Sequence, residues 1–279
     1  MKFFKKFLLW FLVIIITLLF AVFQKITGPT YPIKGKIIIK GDTIKYRLPR
    51  SHNTRKNCRI ILKNDKTISK AYLFYKRHNT NDEFTAVEMK RKNNKLIGYL
   101  PSQPPAGKLD YHIKIITSSG EKRINHKGKS IVIRFKGEVP AYILIPHIFF
   151  MFFSLMFAVR TFFEALKKKP EYLKLYLKWT FWTLIIGGAI LGPIVQKYAF
   201  GAFWTGIPFG YDLTDNKTLI AIIGWLIALL KVKSNDDTKG KKWVIGAFLL
   251  MTIVYLIPHS TLGSTLDYSK MKITTGGKR

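Results

Sequence analysis

Long apolar runs separated by lysine-rich connectors are the feature that most restricts how this chain can fold. The runs cover residues 7–23, 141–166, 179–195, 219–230 and 243–257. Hydrophobic residues make up 48% of the chain, yet the formal net charge is +32. This pattern is typical of an integral membrane protein, because a helix needs about 20 apolar residues to cross the hydrocarbon core. We therefore expect five transmembrane helices in contact with a lipid bilayer.

The lysines predict how these helices are oriented. Cations lie before the first run, in Met1-Lys-Phe-Phe-Lys-Lys, and in the connectors 167–169 and 231–242. All three regions belong in the cytoplasm if the chain follows the positive-inside rule. The first run lacks a small-x-small cleavage pattern, so we expect an uncleaved anchor over residues 1–27. Residues 28–139, the loop 194–217 and the C-terminus then lie outside a bacterial cytoplasmic membrane.

Residues 28–139 predict an antiparallel β-sandwich, because short alternating runs recur there with turn residues between them. The runs are 36–40, 43–48, 59–62, 71–75, 84–89, 95–100, 109–116 and 130–135. Residues 30–138 resemble immunoglobulin-like or fibronectin-type-III-like modules of bacterial envelope proteins, chiefly in the pieces 71–77, 87–89 and 100–112. This resemblance implies a fold and no activity. The predicted fold class is α+β: an N-terminal transmembrane anchor, the external sandwich and a four-helix transmembrane domain over residues 140–279.

Composition and missing motifs exclude several functions. The single Cys58 excludes an internal disulfide, and the chain has no Cys-x-x-Cys or Cys-x-x-Cys-His motif. No nucleic-acid-binding motif accompanies the positive charge, which suits lysines that face anionic lipid. Neither a Ser-His-Asp set nor a carboxylate pair in a plausible cleft is recognisable, so nothing in the sequence predicts an enzyme.

Two histidines are the strongest candidates for ligands. The tetrapeptide Leu-Ile-Pro-His occurs at residues 144–147 and again at 256–259. The predicted topology places both His147 and His259 at the outer face, and imidazole is a good ligand for iron, copper or zinc. Proline suits the first turn of a helix, so we expect His147 in the first turn of the second span. Pro258 should end the last helix just before His259.

The segment between the histidines carries a family resemblance. It contains Tyr198-Ala-Phe-Gly-Ala-Phe-Trp, then Asp212-Leu-Thr-Asp-Asn-Lys, then a helix with Gly-Trp-Leu-Ile-Ala-Leu. Residues 198–229 resemble the tryptophan-rich (WWD) signature of haem-handling proteins in cytochrome c assembly. The resemblance implies that His147 and His259 ligate the iron of haem b, with Phe203 and Trp204 as an aromatic shelf. The chain departs from the family pattern by the insertion Ile-Pro-Phe-Gly-Tyr at residues 207–211.

Residue types that suit haem surround this segment. Haem needs a flat apolar slot, axial nitrogen ligands and cations for its propionates. We expect Phe200, Phe203, Trp204 and Phe209 to form the slot. Lys197 and Lys217, at the two ends of the loop, are expected to meet the propionates.

Three carboxylates are expected beside this site: Asp212, Asp215 and Asp267. Of these, Asp267 is the one expected to orient an imidazole. The oxygen-rich turn 212–216 has residue types that bind calcium, but it lacks the full EF-hand spacing. We expect instead that Thr214 or Asp215 caps the N-terminus of the fourth span.

Two functions remain open. The first is a haem-binding membrane protein that handles haem or transfers electrons at the outer face. The second is a non-catalytic scaffold or accessory subunit whose sandwich recruits another envelope protein. In the second case the aromatic residues of the loop belong to the interfacial belt, and the histidines only satisfy exposed backbone at helix ends.

Overall fold

The helices and the strands of this mixed α+β protein occupy separate stretches of the chain. The computed structural model describes residues 2–39, 41–63, 67–235, 237–258 and 263–275. The helices are α1 (Lys2–Thr27), α2 (Ala141–Ala165), α3 (Leu173–Leu184), α4 (Gly192–Phe200), α5 (Leu213–Lys231) and α6 (Thr238–Leu256). A π-helical segment, Ile185–Leu191, joins α3 to α4, so the two helices form one continuous run.

Among the described residues, four helices are long and apolar enough to cross a membrane. They are Phe4–Thr27, Ala141–Ala165, Leu173–Phe200 and Leu213–Lys231. The fifth predicted span, 243–257, is also helical, but α6 begins with the lysine-rich sequence Thr-Lys-Gly-Lys-Lys and is not one of the four. Many large apolar side chains on α1 are exposed, as expected for a helix surrounded by lipid.

Strands fill the chain between α1 and α2, and each predicted run overlaps an observed strand. They are β1 (Ile33–Ile39), β2 (Asp42–Leu48), β3 (Ser51–Asn53), β4 (Cys58–Lys63), β5 (Ile68–Arg77), β6 (Thr85–Glu88), β7 (Lys90–Lys92), β8 (Lys95–Leu100), β9 (Lys108–Thr117), β10 (Gly120–Ile124) and β11 (Ile131–Lys136). We call these eleven strands the β-domain. A short hairpin, β12 (Thr265–Asp267) and β13 (Lys272–Thr274), follows α6.

The β-domain strands form three sheets around one apolar core. The largest sheet has the order β3-β11-β9-β5-β6, with β10 also paired to β9; β4-β8-β7 and β1-β2 form the other two. All pairings are antiparallel except that of β3 with β11. Side chains such as Ile60, Leu73 and Ile113 are fully buried in the shared core. Burial of each such side chain stabilises the fold by about 1.5–3 kcal/mol.

The helices pack around a second core with Trp225 at its centre. Trp225 is fully buried, and its indole Nε1–H donates to Met251 Sδ at 3.0 Å. Leu155, Leu177 and Val244 belong to the same cluster, so α2, α3, α5 and α6 all contribute to it. Although α6 is less apolar than the other helices, it is therefore an integral part of the helical bundle.

The chain after α6 returns to the β-domain. Leu266 N–H donates to the carbonyl of Ala106 at 3.0 Å, and Lys108 N–H donates to the Tyr268 hydroxyl at 3.0 Å. The chain that leaves the β-domain after β11 is bonded to the end of α4, because Gly137 N–H donates to the carbonyl of Ala199 at 2.8 Å. Residues 263–275, which we call the C-terminal segment, thus lie on the same side of the bundle as the β-domain.

At the opposite end of the bundle a buried carboxylate holds the turn from α2 to α3. Glu164 is 0% exposed and accepts from Arg160 at 2.7 Å and from Lys167 at 2.8 Å. Its other oxygen accepts the backbone N–H groups of Glu171 and Tyr172 at 2.9 and 3.2 Å. The sequence suggests an ordinary intrahelical pair of Arg160 and Glu164; in the structure this pair also fixes the following turn.

Replacement of Glu164 by alanine should therefore destabilise the protein strongly. It leaves the buried Arg160 guanidinium without a carboxylate, and removal of one partner from a buried pair costs about 3–5 kcal/mol. We expect a matching fall in the free energy of unfolding, measured by denaturant titration in mixed micelles. Glu171→Ala is the control, because Glu171 is exposed and its contact with Lys6 spans 3.8 Å. Equal stability of the two variants would contradict this role of Glu164.

Candidate ligand-binding cavity

A cavity of about 150 Å³ lies where the β-domain meets the helical bundle. Its walls come from β11, α2, the π-helical segment, α4, the chain between α4 and α5, and the start of α5. The polar side chains of its lining are Arg134, His147, Gln196, Asp212, Thr214, Asp215 and Thr218. The apolar side chains that matter most are Met151, Phe200 and Trp204. Such a volume accommodates a ligand of about the size of benzene.

The position of His147 along α2 differs from the prediction. Pro140, rather than Pro146, marks the start of this helix, because its carbonyl accepts the N–H groups of Ile143 and Leu144. Pro146 therefore lies inside the helix, and His147 is one turn deeper than expected. Pro146 lacks the N–H that would donate to the carbonyl of Tyr142, but α2 continues past this proline.

The imidazole of His147 is oriented by a backbone carbonyl. Its Nδ1 lies 3.0 Å from the carbonyl oxygen of Gly187 in the π-helical segment. A carbonyl only accepts, so Nδ1 carries a proton, and in the neutral imidazole Nε2 then keeps its lone pair. A Cβ on Gly187 would approach Met151 N to 3.0 Å, so glycine lets the π-helical segment pack closely on α2. Single-turn π-helical distortions are frequent at functional sites.

The loop between α4 and α5 is shorter than predicted and covers residues 201–212. Gly201, with φ of +90°, ends α4 in the left-handed conformation that glycine adopts readily. Trp204 lines the cavity, and its indole N–H donates to the carbonyl of Ile207 at 3.0 Å. Phe203 is not at the cavity; its side chain is 56% exposed and Lys197 Nζ lies 5.3 Å from its ring centroid.

Asp215 fixes the first part of this loop. Its Oδ2 accepts the N–H of Thr205 at 2.6 Å and the side-chain amide of Gln196 at 3.0 Å. Thr205 Oγ1 also donates to the same oxygen at 3.2 Å. The loop is therefore connected to α4 and to α5 through one buried carboxylate.

Asp212 connects the loop to the C-terminal segment. Its Oδ1 accepts the N–H of Thr214 at 2.9 Å, so Asp212 is the N-cap of α5 rather than Thr214 or Asp215. Its Oδ2 accepts both the N–H and the hydroxyl of Ser264 at 2.9 Å. Thr205 Oγ1 lies 3.3 Å from the same oxygen. This carboxylate, only 4% exposed, joins segments that are about fifty residues apart in the chain.

Two cations of the β-domain face these carboxylates. Arg134 and Lys108 are directly paired across β11 and β9, so their side chains leave the sheet on the same face. Lys108 Nζ donates to Thr265 Oγ1 in the C-terminal segment. Burial lowers the pKa of Lys108 to about 7, and Arg134 adds to this lowering while Asp212 opposes it. Burial also lowers the pKa of Arg134, and Asp212 again opposes the effect.

The guanidinium of Arg134 packs against an aromatic ring rather than against a carboxylate. Arg134 is only 6% exposed, and its guanidinium lies over the ring of Phe200 at 5.2 Å from the centroid. Within the described part of the chain, its guanidinium makes no hydrogen bond and no ion pair with a carboxylate. An arginine this deeply buried normally has acceptors for its N–H groups.

The cavity gathers half of the site residues predicted from the sequence. His147, Phe200, Trp204, Asp212 and Asp215 line it together. His259 lies outside the described residues, between Pro258 and the cavity-lining Gly263 in the chain.

The remaining predicted residues are engaged elsewhere. Lys217 Nζ donates to the carbonyl of Ile257 at 2.6 Å, and Lys197 Nζ donates to that of Gly201 at 3.0 Å. Asp267 accepts from Ser269 and Lys270 in the turn of the C-terminal hairpin. Neither lysine lines the cavity, so the expected contacts with propionates are absent from this arrangement. Asp267 stabilises a turn and does not orient His147, whose Nδ1 partner is Gly187.

Sequence reasoning missed Arg134, Gln196 and Ser264. Arg134 lies in a strand with alternating apolar residues, where a cation suggests only a solvated face. Gln196 follows the predicted third span, and Ser264 lies in a tail without periodicity. Only the spatial arrangement reveals that these three residues meet at one place.

The chemistry of this lining agrees with haem only in part. An oriented imidazole, a buried cation and two aromatic rings are the types of group that haem requires. The cavity volume of about 150 Å³ is smaller than the roughly 300–1,000 Å³ of typical cofactor and drug sites, so a whole porphyrin needs a wider cavity than this one. Among the described residues, no group of three or more His, Cys, Asp or Glu side chains could hold a metal ion.

Substitution of Lys108 by methionine tests the charge balance beside the cavity. The folded protein binds the Lys108 proton less tightly than the unfolded chain, so wild-type stability should rise with pH between about 7 and 10. Lys108→Met lacks this pH-dependent contribution to stability. At pH values below 7, its apparent melting temperature should therefore exceed that of the wild type by several degrees, and this difference should shrink toward pH 10. Thermal unfolding in detergent across this range measures it. A difference that does not vary with pH would contradict the burial of a titrating Lys108.

No protein-family model matches this chain, and no curated protein matches it. What the cavity binds must therefore be inferred from its own groups: one oriented imidazole, one buried guanidinium and two aromatic rings.

Proposed function

We propose that this integral membrane protein binds haem at the end of the helical bundle that faces the β-domain. The setting of His147 carries the proposal. A hydrogen bond from Nδ1 to a backbone carbonyl is the arrangement that usually holds a metal-ligating imidazole, because it fixes the ring and leaves Nε2 for the metal. Here Gly187 supplies that carbonyl, and the ring lies on the wall of the cavity with Phe200 and Trp204.

The chain's own residues have distinct roles in this proposal. His147 would ligate the iron, Phe200 and Trp204 would pack against the macrocycle, and Arg134 would pair with a propionate. His259 is the proposed second ligand, because it precedes Gly263 of the cavity wall by four residues. Haem bound in this way supplies a one-electron redox centre. Its entry requires the loop and the β-domain to separate more widely.

We further propose that the β-domain is an immunoglobulin-like sandwich on the outer side of a bacterial cytoplasmic membrane, with the N-terminus of α1 inside. Two observations support this orientation. The lysine-rich connectors meet at the end of the bundle away from the β-domain, where Lys241 Nζ donates to the carbonyl of Lys167 at 2.8 Å. The C-terminal segment returns to the β-domain, as expected if α6 is a fifth crossing.

A scaffold that recruits an envelope protein is the second candidate function. The observation that favours it is an open groove of about 800 Å³ between the turn 78–82 of the β-domain and the C-terminal segment. Phe209 and Tyr211 line this groove and are 82% and 74% exposed. Large exposed aromatic residues beside a groove are typical of protein-binding surfaces.

Haem titration of the purified protein in detergent tests the first proposal. We expect a Soret band that saturates at one haem per chain for the wild type. His147→Ala should weaken binding by about tenfold or more and change the spectrum, because second-shell changes alone cost about 10–100-fold in metal affinity. His126→Ala is the control, since His126 belongs to a bridge within the β-domain.

His259→Ala is the further arm that tests the second ligand. A wild type that stays colourless would refute the haem proposal and leave the scaffold. Identical spectra for the wild type and His147→Ala would refute the assigned ligand.

A further inference from the structure

We propose that Arg134 forms a subsite for a carboxylate, and that a small monoanionic acid with an apolar body occupies the cavity in the closed arrangement. This inference rests on the same cavity as the proposed function, but it does not depend on iron ligation by His147. Three features of the structure support it: the buried guanidinium without a carboxylate partner among the described residues, the apolar surfaces beside it and the neighbouring carboxylates.

The first feature is the isolation of the guanidinium. Arg134 keeps its charge at any physiological pH, and it is buried on the wall of the cavity with only the face of Phe200 as a described partner. Burial of an unpaired charge is costly unless an acceptor compensates for it. A carboxylate matches the fork of a guanidinium, because its two oxygens accept two parallel N–H···O hydrogen bonds in one plane.

The second feature is the apolar surface beside this guanidinium. Phe200, Trp204 and Met151 line the same cavity, and the ring of Phe200 lies directly against Arg134. A volume of about 150 Å³ leaves room for a body of about the size of a benzene ring. The subsite therefore suits a small aromatic or short-chain acid.

The third feature limits the charge of the ligand. Asp212 and Asp215 also line the cavity, and their oxygens already accept hydrogen bonds from Ser264, Thr205 and Gln196. These carboxylates repel an anion, and the repulsion grows with the charge of the ligand. One guanidinium balances one negative charge, so a single carboxylate group is favoured at Arg134 over a phosphate.

A carboxylate of this kind has two sources, a free acid or the propionate of haem. Benzoate is the probe for the free acid, and haem b compared with its dimethyl ester is the probe for the propionate. Isothermal titration of the full-length protein in detergent measures benzoate, and the Soret band measures both haems. Benzyl alcohol, which has the same ring without the charge, is the control ligand.

We expect saturable binding of benzoate, no comparable binding of benzyl alcohol, and affinity reduced by about tenfold or more in Arg134→Met. Arg134→Lys keeps the charge without the fork and should be intermediate. Arg55→Met is the matched control, because Arg55 is exposed and away from the cavity wall. Melting temperatures of all variants show whether they fold.

The outcomes separate the two proposals. Benzoate binding that depends on Arg134 in a protein that takes up no haem supports the subsite and refutes the haem proposal. Haem binding that falls on esterification and in Arg134→Met, without benzoate binding, supports the subsite with propionate as the source. If neither benzoate nor the propionates of haem depend on Arg134, the inference is overturned.

Discussion

One buried carboxylate, that of Asp212, holds together three parts of the molecule that are distant in sequence. It caps α5 through Thr214, binds the C-terminal segment through Ser264 and contacts the α4–α5 loop through Thr205. Its negative charge also raises the pKa values of Lys108 and Arg134, and so opposes the lowering that burial causes. The cavity exists because these segments converge on Asp212.

Burial of these charged groups costs free energy that their contacts must offset. Desolvation of two carboxylates and two cations is costly, and their mutual attraction rarely exceeds that cost by much. Charge-assisted hydrogen bonds from Thr205, Thr214 and Ser264 satisfy three of the four oxygens of Asp212 and Asp215. Within the described ranges, the guanidinium of Arg134 has a ring face and no carboxylate as its partner, so the buried cations are less well compensated than the buried carboxylates. An anionic ligand would correct this imbalance.

Local patterns predicted the elements of the fold, because alternation of period two and long apolar runs report burial within a single segment. They located the strands and helices, and Pro258 correctly predicted that Ile257 leaves the helical conformation at the end of α6. The π-helical segment, the hairpin after α6 and the short strand β3 gave no comparable signal. The cap of α5 was placed two or three residues too late, since Asp212, Thr214 and Asp215 are all good capping residues. Hydrogen bonds such as those of Lys217 to Ile257 and Ser264 to Asp212 join distant segments, so no local pattern reports them.

The account depends most on the closure of the loop and the C-terminal segment around Asp212, and hydrogen–deuterium exchange measures this directly. In the wild type, the amide of Ser264 and peptides covering 201–212 and 263–275 should exchange slowly. In Asp212→Ala they should exchange much faster while β9 stays protected; Asp267→Ala, in an exposed turn, should leave the loop 201–212 unchanged. Fast exchange at Ser264 in the wild type, or equal protection in Asp212→Ala, would contradict the account.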